Sequence, residues 1–302
     1  MGIPVEESGR FAARFLTQNP KVAGPPPLLD PEAADAIADL CGRALLDPPS
    51  AGEIRQALFD PARPAVVRGD PATGVAATVV RRGEGYLRLL AVDPPARRAG
   101  LGSALLTAAE ADVSAAGCGS LRTGADAPDY LLPGVDVRLT PMLALLERRG
   151  YRRADVTFNM DVDLAALDGL AGPEPASSVR AASPADRDRF AEWLRRHWPN
   201  WEDEALRGLD QGTAVLSDDG DRDIAGFCAW DVNRRGWLGP MAVRPGVGGR
   251  GWGRDLLLAA LAAMRASGLG QAQIAWVGPI GFYAGAAGAH ISRVFFVYER
   301  RL

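Results

Sequence analysis

Residues 91–109 (AVDPPARRAGLGSALLTAA) and 242–260 (AVRPGVGGRGWGRDLLLAA) share the pattern A-V-x-P-x(5)-G-x-G-x-x-L-L-x-A-A at a constant offset of 151 residues. In a chain of 302 residues such a repeat divides the sequence into two halves, each about the size of one domain. In both copies a glycine-rich loop runs straight into an apolar helix. One or two glycines make a tight turn, but the second loop carries Gly246, Gly248, Gly249, Gly251 and Gly253, which marks a backbone that lies close to a ligand. The unpaired amides of a first helical turn and the positive end of the helix dipole favour an anion there, above all a phosphate.

The elements around the two loops follow one order. LDGLAGPEPASS (167–178) has the Gly, Pro and Ser content of a linker. It separates a first domain (28–166) from a second (179–302), and residues 1–27 form an N-terminal arm. In the first half, DPEAADAIADLCGRALLD (30–47) and SAGEIRQALFD (50–60) are capped helices, followed by strands in PAVVRGD, GVAATVVRRG and GYLRLLAV. The loop and a helix over 97–116 come next, then the strand SLRTGA, a long loop, a helix over 139–149 and closing strands at 151–164. The second half repeats this with helices over 183–198 and 201–210, three strands, the loop and a helix over 249–267. The strand QAQIAWV, a short helix in IGFYAGAAG and the strand HISRVFFVYER complete it. Both halves thus read β-α-α-β-β-β-α-β-α-β. A dinucleotide-binding unit has its glycine loop after the first strand, whereas three antiparallel-looking strands precede it here. No GKS or GKT is present, which argues against a Walker-type nucleotide site.

The pattern V-x-P-x-x-[QR]-x-x-G-x-[GA] after the fourth strand resembles the acetyl-CoA loop of the GNAT acetyltransferases, and the element order resembles that superfamily over nearly the whole chain. The resemblance implies an α/β (α+β) fold of two tandem GNAT-like acyl-CoA N-acyltransferase domains, each a mixed, mostly antiparallel central sheet flanked by helices. It also implies acetyl-CoA as acyl donor. The first copy would hold it with Ala91, Val92, Arg97, Arg98, Ala99, Gly100, Leu101, Gly102 and Ser103. The second would use Met241, Ala242, Val243, Gly248, Gly249, Arg250, Gly251, Trp252, Gly253 and Arg254. Arg97 fills the Gln/Arg position of the motif, and Gly248 departs from it.

Attack of an amine on a thioester needs a neutral amine, a polarised carbonyl and a proton for the leaving sulfur. Relatives in the family often protonate the sulfur with a Tyr in the helix after the fifth strand. Tyr283 in WVGPIGFYAGAAGA falls at that place, although Gly288 comes one residue later than in the family's pattern. The equivalent position of the first half is Leu146, and its alternative phenol, Tyr130, lies in the long loop. Gly239-Pro240 interrupts the fourth strand of the second half, and proline gives no N–H to a neighbouring strand. Arg88-Leu89 stand at the same places of the first half. Tyr283 and the Gly-Pro pair favour the second half as the catalytic one, while the better-matched loop favours the first. No general base is visible: Asp231 and Glu84 read as solvated turn residues. Trp230, Trp237 and Trp276 surround the expected second cleft, with Trp198 and Trp201 in the helices that wall the acceptor side.

Bulk composition narrows the alternatives. A net charge of −3 with Lys21 as the sole lysine leaves no basic stripe for nucleic acid. Three cysteines at unrelated spacings (Cys41, Cys118, Cys228) draw neither a disulfide framework nor a metal pair, and His197 and His290 make no metal site. Cys118 and Cys228 read as small core residues. No signal peptide and no apolar run of membrane-spanning length is seen, so the reading is a cytoplasmic monomer or homodimer with no membrane, nucleic-acid or metal partner. The expected activity is acetyl transfer from acetyl-CoA to a primary amine of a small molecule. The alternatives are a catalytically silent acyl-CoA binder or sensor, and catalysis in the first half.

Overall fold

The computed structural model describes residues 24–170, 178–219, 223–246 and 250–302. Most of the N-terminal arm, part of the linker, and Gly248 and Gly249 of the second loop lie outside the described residues.

The first half contributes α1 (Ala34–Ala44), α2 (Ala51–Phe59), β1 (Val66–Asp70), β2 (Gly74–Arg81), β3 (Glu84–Val92), α3 (Leu101–Ala115), β4 (Ser120–Thr123), β5 (Val135–Asp136), α4 (Thr140–Arg148) and β6 (Arg152–Asp163). The second contributes β7 (Ser178–Ala181), α5 (Arg187–His197), α6 (Glu202–Gln211), β8 (Ala214–Asp218), β9 (Ile224–Trp230), β10 (Trp237–Val243), α7 (Trp252–Ala266), β11 (Gln271–Ile274), α8 (Ile280–Ala287) and β12 (His290–Arg301). The expected opening strand of the first half is reduced to a single bridge, Leu28 with Arg68. Pro25, Pro26 and Pro27 explain it, because three consecutive residues without N–H groups cannot extend a ladder.

Local signals set the helix starts. Ser50 and Glu53 form a reciprocal capping box at α2. Gly100 and Gly251 precede α3 and α7 at φ 88° and 84°, a left-handed conformation that glycine adopts without a Cβ penalty.

The strands form one sheet in the order β1-β2-β3-β4-β12-β6-β11-β10-β9-β8-β7, with β5 pairing β12 off this path. The sequence reading has each half close its own sheet; instead the closing strands are exchanged. β12, from the second half, lies between β4 and β6, and β6, from the first half, pairs with β11. The two long strands run antiparallel at the centre and join the halves into one sheet.

The exchange extends into the cores. Leu105, Leu106 and Val113 of α3 pack with Leu87, Leu121, Leu146 and, from the exchanged β12, Tyr298. Leu256, Leu257, Leu261 and Met264 of α7 pack with Ile274 and, from the exchanged β6, Met160 and Val162. Each half therefore buries apolar surface supplied by the other. Cys41, Cys118 and Cys228 are all unpaired and buried.

Candidate active site

Two adjacent strand pairs in this sheet run parallel, β3 with β4 and β10 with β11. Neither pairing lasts. The β10–β11 register ends at Leu238 opposite Ile274. Gly239 and Pro240 follow, and the pairing of β10 with β9 shifts register between Leu238 and Met241. Pro240 has no N–H for the ladder, and Gly239 stands at φ 134°, so the backbone turns out of the sheet plane here.

The strands part, and the gap opens into a cleft of about 830 Å³ that Arg81, Glu84, Tyr86, Asp126 and Tyr130 of the first half also line. Met241, Ala242 and Val243 form one wall, Ile274, Ala275 and Trp276 the other, with Gly253 at the start of α7 and Tyr283 of α8. A Cβ added to Gly239 would meet nothing closer than the Ala275 carbonyl oxygen at 4.0 Å, so this glycine leaves the gap clear. At the mouth, the first amides of α7 have no intrahelical acceptor, since the first helical bond runs from Asp255 N to Gly251 O. A gap between strands that leads to a helix N-terminus fits a long thioester arm carrying phosphates.

The first half has the same break and a different outcome. Register between β3 and β4 ends at Leu87 opposite Thr123. Arg88 stands where the second half has Gly239, and its side chain is buried. Its Nε donates to Asp126 Oδ2 at 2.6 Å and its Nη1 to the Ala57 carbonyl. What remains is a void of about 30 Å³, the share of one water molecule.

The loop over 124–139 achieves this closure. The second half connects β11 to α8 with 275–279 alone, whereas the first half spends a long loop that puts Leu132, Gly134 and Val135 against its own gap; Asp126, which pairs with Arg88, also lines the second cleft. Burial pushes the Asp126 carboxyl up despite the opposing pull of Arg88. The same loop reaches across to the second cleft with Tyr130. That ring lies edge-on to Trp276 at 5.3 Å and 6.0 Å from Trp237. Tyr130, the alternative phenol assigned by sequence to the first half's site, thus lines the cleft of the second.

Trp276 adopts φ 49°, and Ala125, its counterpart in the first half, φ 58°. The left-handed backbone is therefore a property of the repeated fold, and the side chain is what differs. The Trp276 amide donates to Asn159 Oδ1 at 2.9 Å, a contact supplied by the exchanged β6. The Trp276 side chain is partly exposed in the cleft, where Trp198 and Trp201 stack at 4.9 Å on the opposite side, while Trp230 and Trp237 are buried.

Tyr283 is buried in α8, and burial first, then the nearby Cys228, pushes its phenol above its ordinary value. A phenol so placed stays protonated across the physiological range and has a proton to give. Asp231 accepts from the Gly236 amide at 2.6 Å as a turn residue, and Glu84 is exposed beside Tyr86.

An acid that the sequence reading passed over lines the cleft as well. Glu204 of α6 is only 3% exposed. Its signal was helical spacing, because it shares a face with Trp201, Ala205 and Gly208. Burial raises its carboxyl to about 8, with the Asn233 hydrogen bond, the strongest of several smaller influences, acting in the opposite direction.

Of the residues assigned to the second loop, Met241, Ala242, Val243 and Gly253 come together in the cleft with Tyr283. Trp252 is buried in the helix start, and Arg250, Gly251 and Arg254 lie at the loop and first turn beside it. In the first copy, Arg98 to Ser103 form the equivalent turn and helix start, but Ala91, Val92 and the loop border no comparable cleft. Arg97 folds back on its own half, its Nε donating to the Val92 carbonyl at 3.0 Å and its Nη2 to the Ala44 carbonyl at 3.1 Å. Among the described residues no group of three or more His, Cys, Asp or Glu is placed to hold a metal ion, and no helix is long and apolar enough to cross a membrane.

Comparisons with known proteins bear on the family and the fold. The model of the acetyltransferase (GNAT) family matches twice, over residues 41–129 and 180–284. The fold is similar to a GCN5-related glucosamine N-acetyltransferase region of a fungal multi-domain GH3 β-N-acetylglucosaminidase (TM-score 0.71, 17% identity). That match covers 92% of this chain and 38% of the other. It is also similar to a GCN5-related N-acetyltransferase from Sphaerobacter thermophilus (TM-score 0.66, 20% identity, 92% and 94% of the two chains). A third similar structure is a tandem GNAT protein from the clavulanic acid biosynthesis pathway (TM-score 0.67, 16% identity, 91% and 97%). No curated protein sequence matches the chain.

Proposed function

The chain belongs to the acetyltransferase (GNAT) family, and from that premise we propose that it transfers the acetyl group of acetyl-CoA to a primary amine of a small molecule, in the cleft of the second half. The observation that carries this reading is the contrast between the two strand gaps. One opens to about 830 Å³ and holds Tyr283; the other is closed to about 30 Å³ by the Arg88–Asp126 pair. A ligand site of several hundred cubic ångströms is the size that buries a drug-sized molecule, and only the second gap offers it.

In this reading acetyl-CoA supplies an activated acetyl group, and the chain binds, orients and moves protons. Met241, Ala242 and Val243 offer the strand backbone that β11 leaves unpaired, and the Gly251–Gly253 turn with the α7 N-terminus attracts the phosphates. Gly239 keeps the gap free of a side chain. Tyr283 gives its proton to the departing sulfur. The acceptor enters from the side walled by Trp198, Trp201, Trp276 and Tyr130, aromatic surfaces that suit a compact molecule with an apolar or flat face. The first half, in this reading, binds no acetyl-CoA and serves as a wall of the second half's acceptor site.

Calorimetry with acetyl-CoA tests the binding claim: the expected stoichiometry is one per chain. Thiol release measured over a panel of small primary amines tests the transfer claim. Binding without release for every amine would favour an acyl-CoA sensor.

A further inference from the structure

The reaction requires a group to take the amine's proton, and the acid in the acceptor wall best placed for it is Glu204. Its surroundings are unusual for a buried carboxylate. Oε1 accepts from Asn233 Nδ2 at 2.8 Å, and no ion-pair partner is present among the described residues. A buried carboxylate without a cation is costly, so such a group is retained where a ligand supplies the cation or where a proton is exchanged.

The charged and titratable groups facing it come from three elements: Arg207 on its own helix, Arg81 at the end of β2, and Asp129 and Tyr130 from the loop over 124–139. Asn233, between β9 and β10, completes the ring. Arg207 is the natural partner, and it is occupied. Its Nη2 donates to Asp129 Oδ1 at 2.5 Å and its Nη1 to Asn233 Oδ1 at 3.0 Å, while Arg63 Nε lies 2.8 Å from Asp129 Oδ2. An acid from the first half thus engages the arginine, which forms no ion pair with Glu204.

We propose that Glu204 takes the proton from the acceptor's ammonium group, and that Asp129, by holding Arg207, keeps Glu204 free of an ion pair for that task. The proposal rests on the acetyl-transfer reading above. The Glu204 carboxylate removes one proton from the ammonium. The freed lone pair forms the nitrogen–carbon bond at the thioester carbonyl as the carbon–sulfur bond breaks. Sulfur leaves with the bonding electrons and takes the phenolic proton of Tyr283. The second surplus proton of the nitrogen restores the phenol, and Glu204 returns its proton to solvent. The balance is an ammonium and a thioester giving an amide, a thiol and one proton. A base whose proton affinity lies between that of an ordinary carboxylate and that of an amine suits this transfer better than a solvated glutamate. Burial places Glu204 there.

The test is the pH profile of kcat/KM for an amine found by thiol release. The wild type should rise through about pH 8 as Glu204 ionises and level off below the amine's own value of about 10. Glu204→Gln should lose roughly 100-fold in kcat/KM near pH 8.5, keep its Kd for acetyl-CoA, and show only a rise toward the amine's value. Asp129→Asn removes a negative neighbour and frees Arg207, so the limb near pH 8 should move to lower pH. A Glu204→Gln profile that keeps the wild-type limb and rate overturns the assignment while leaving acetyl transfer intact. If Glu204→Gln does not fold, Asp129→Asn carries the test, and an unmoved limb overturns the proposal. A wild type that binds acetyl-CoA and releases no thiol with any amine overturns the acetyl-transfer reading, and this assignment with it.

Discussion

Arg88 and Gly239 occupy the same position of a repeated strand, and the two gaps differ because of them. A guanidinium in one gap recruits Asp126 from a long loop, and the loop then packs its own half shut. A glycine in the other leaves the strands apart, with Pro240 unable to restore the ladder. The helices at the mouths start alike, behind Gly100 at φ 88° and Gly251 at φ 84°. In the proposed reading a glycine loop alone does not make a site; the strand behind it decides whether a thioester arm can enter. The repeat thus carries one sequence pattern and one helix start in two copies, with different consequences.

The sharpest way to break this comparison is to add a negative charge to each loop. Gly253 and Gly102 are equivalent, both lie in the first turn of a helix, and neither has the left-handed φ that would make substitution strained in itself. A Cβ on Gly253 meets Phe282 at an ordinary 3.4 Å, and one on Gly102 meets the Leu145 side chain at 3.2 Å. Glutamate suits a first turn, so the fold should tolerate both changes. Gly253→Glu should abolish acetyl-CoA binding in calorimetry, and Gly102→Glu should leave Kd and stoichiometry as they were. The reverse pattern would move the site to the first half.

Next in size is the phenol. Tyr283→Phe keeps the ring and its packing against Phe282. It should lower kcat by roughly 10²–10⁴-fold while changing the acetyl-CoA Kd little, because the proton is needed chiefly in the transition state. An unchanged kcat would remove Tyr283 from the reaction and turn attention to Tyr130 in the same cleft.

The plug of the first half offers a stability test. Arg88→Ala leaves Asp126 buried without its ion-pair partner, and breaking one side of such a pair costs about 3–5 kcal/mol. Replacing both, as in Arg88→Met with Asp126→Leu, should recover much of that loss. Denaturant unfolding of the two variants decides it. If the single change is harmless, the pair does not hold the gap shut.

Much of the architecture was legible because its signals are local. Caps, the P-x(5)-G-x-G spacing and the apolar helix stripes each act over a few residues, and they located the helices and the loops; Tyr283 came from the family resemblance. Interactions distant in sequence were not legible. β6 and β12 carry the same alternation whichever strand they face, so nothing local reports that they are exchanged. Arg88 and Asp126 lie far apart in sequence, and an arginine within a strand reads as an ordinary edge or surface residue until its partner is seen. Tyr130 was assigned to the wrong gap for the same reason: a long loop has no period that fixes where its tip goes. Glu204 stood among three acids in Glu202–Asp203–Glu204, where a solvated helix start is the ordinary reading, and its place on the face of Trp201, Ala205 and Gly208 is a weak signal until burial confirms it.

The smallest expected effect compares two glutamates that the repeat makes equivalent, Glu53 and Glu204. Both occupy the third position of the helix that precedes a half's β strands. In the first half that acid is a cap: Oε2 accepts from the Ser50 amide at 2.7 Å and Oε1 from the Arg235 amide at 2.9 Å, so it also ties the two halves together. In the second half no cap forms and the acid turns into the cleft. Its folded-state value of about 8 exceeds the ordinary 4.5, so the native state holds this proton more tightly than the unfolded chain does. The resulting stability is fully present below pH 4.5 and is lost as pH rises through 8. Glutamine cannot ionise and escapes that loss. Glu204→Gln should therefore melt close to the wild type at pH 5 and roughly 5 °C above it at pH 9, without acetyl-CoA. Glu53→Gln provides the control, because glutamine also serves at that position of a capping box and no gain at high pH is expected. Thermal melts of the three proteins at both pH values are sufficient. A Glu204→Gln curve that tracks the wild type at pH 9 would mean that water reaches Glu204 in the free protein, and would return it to the rank of an ordinary helix acid like its counterpart.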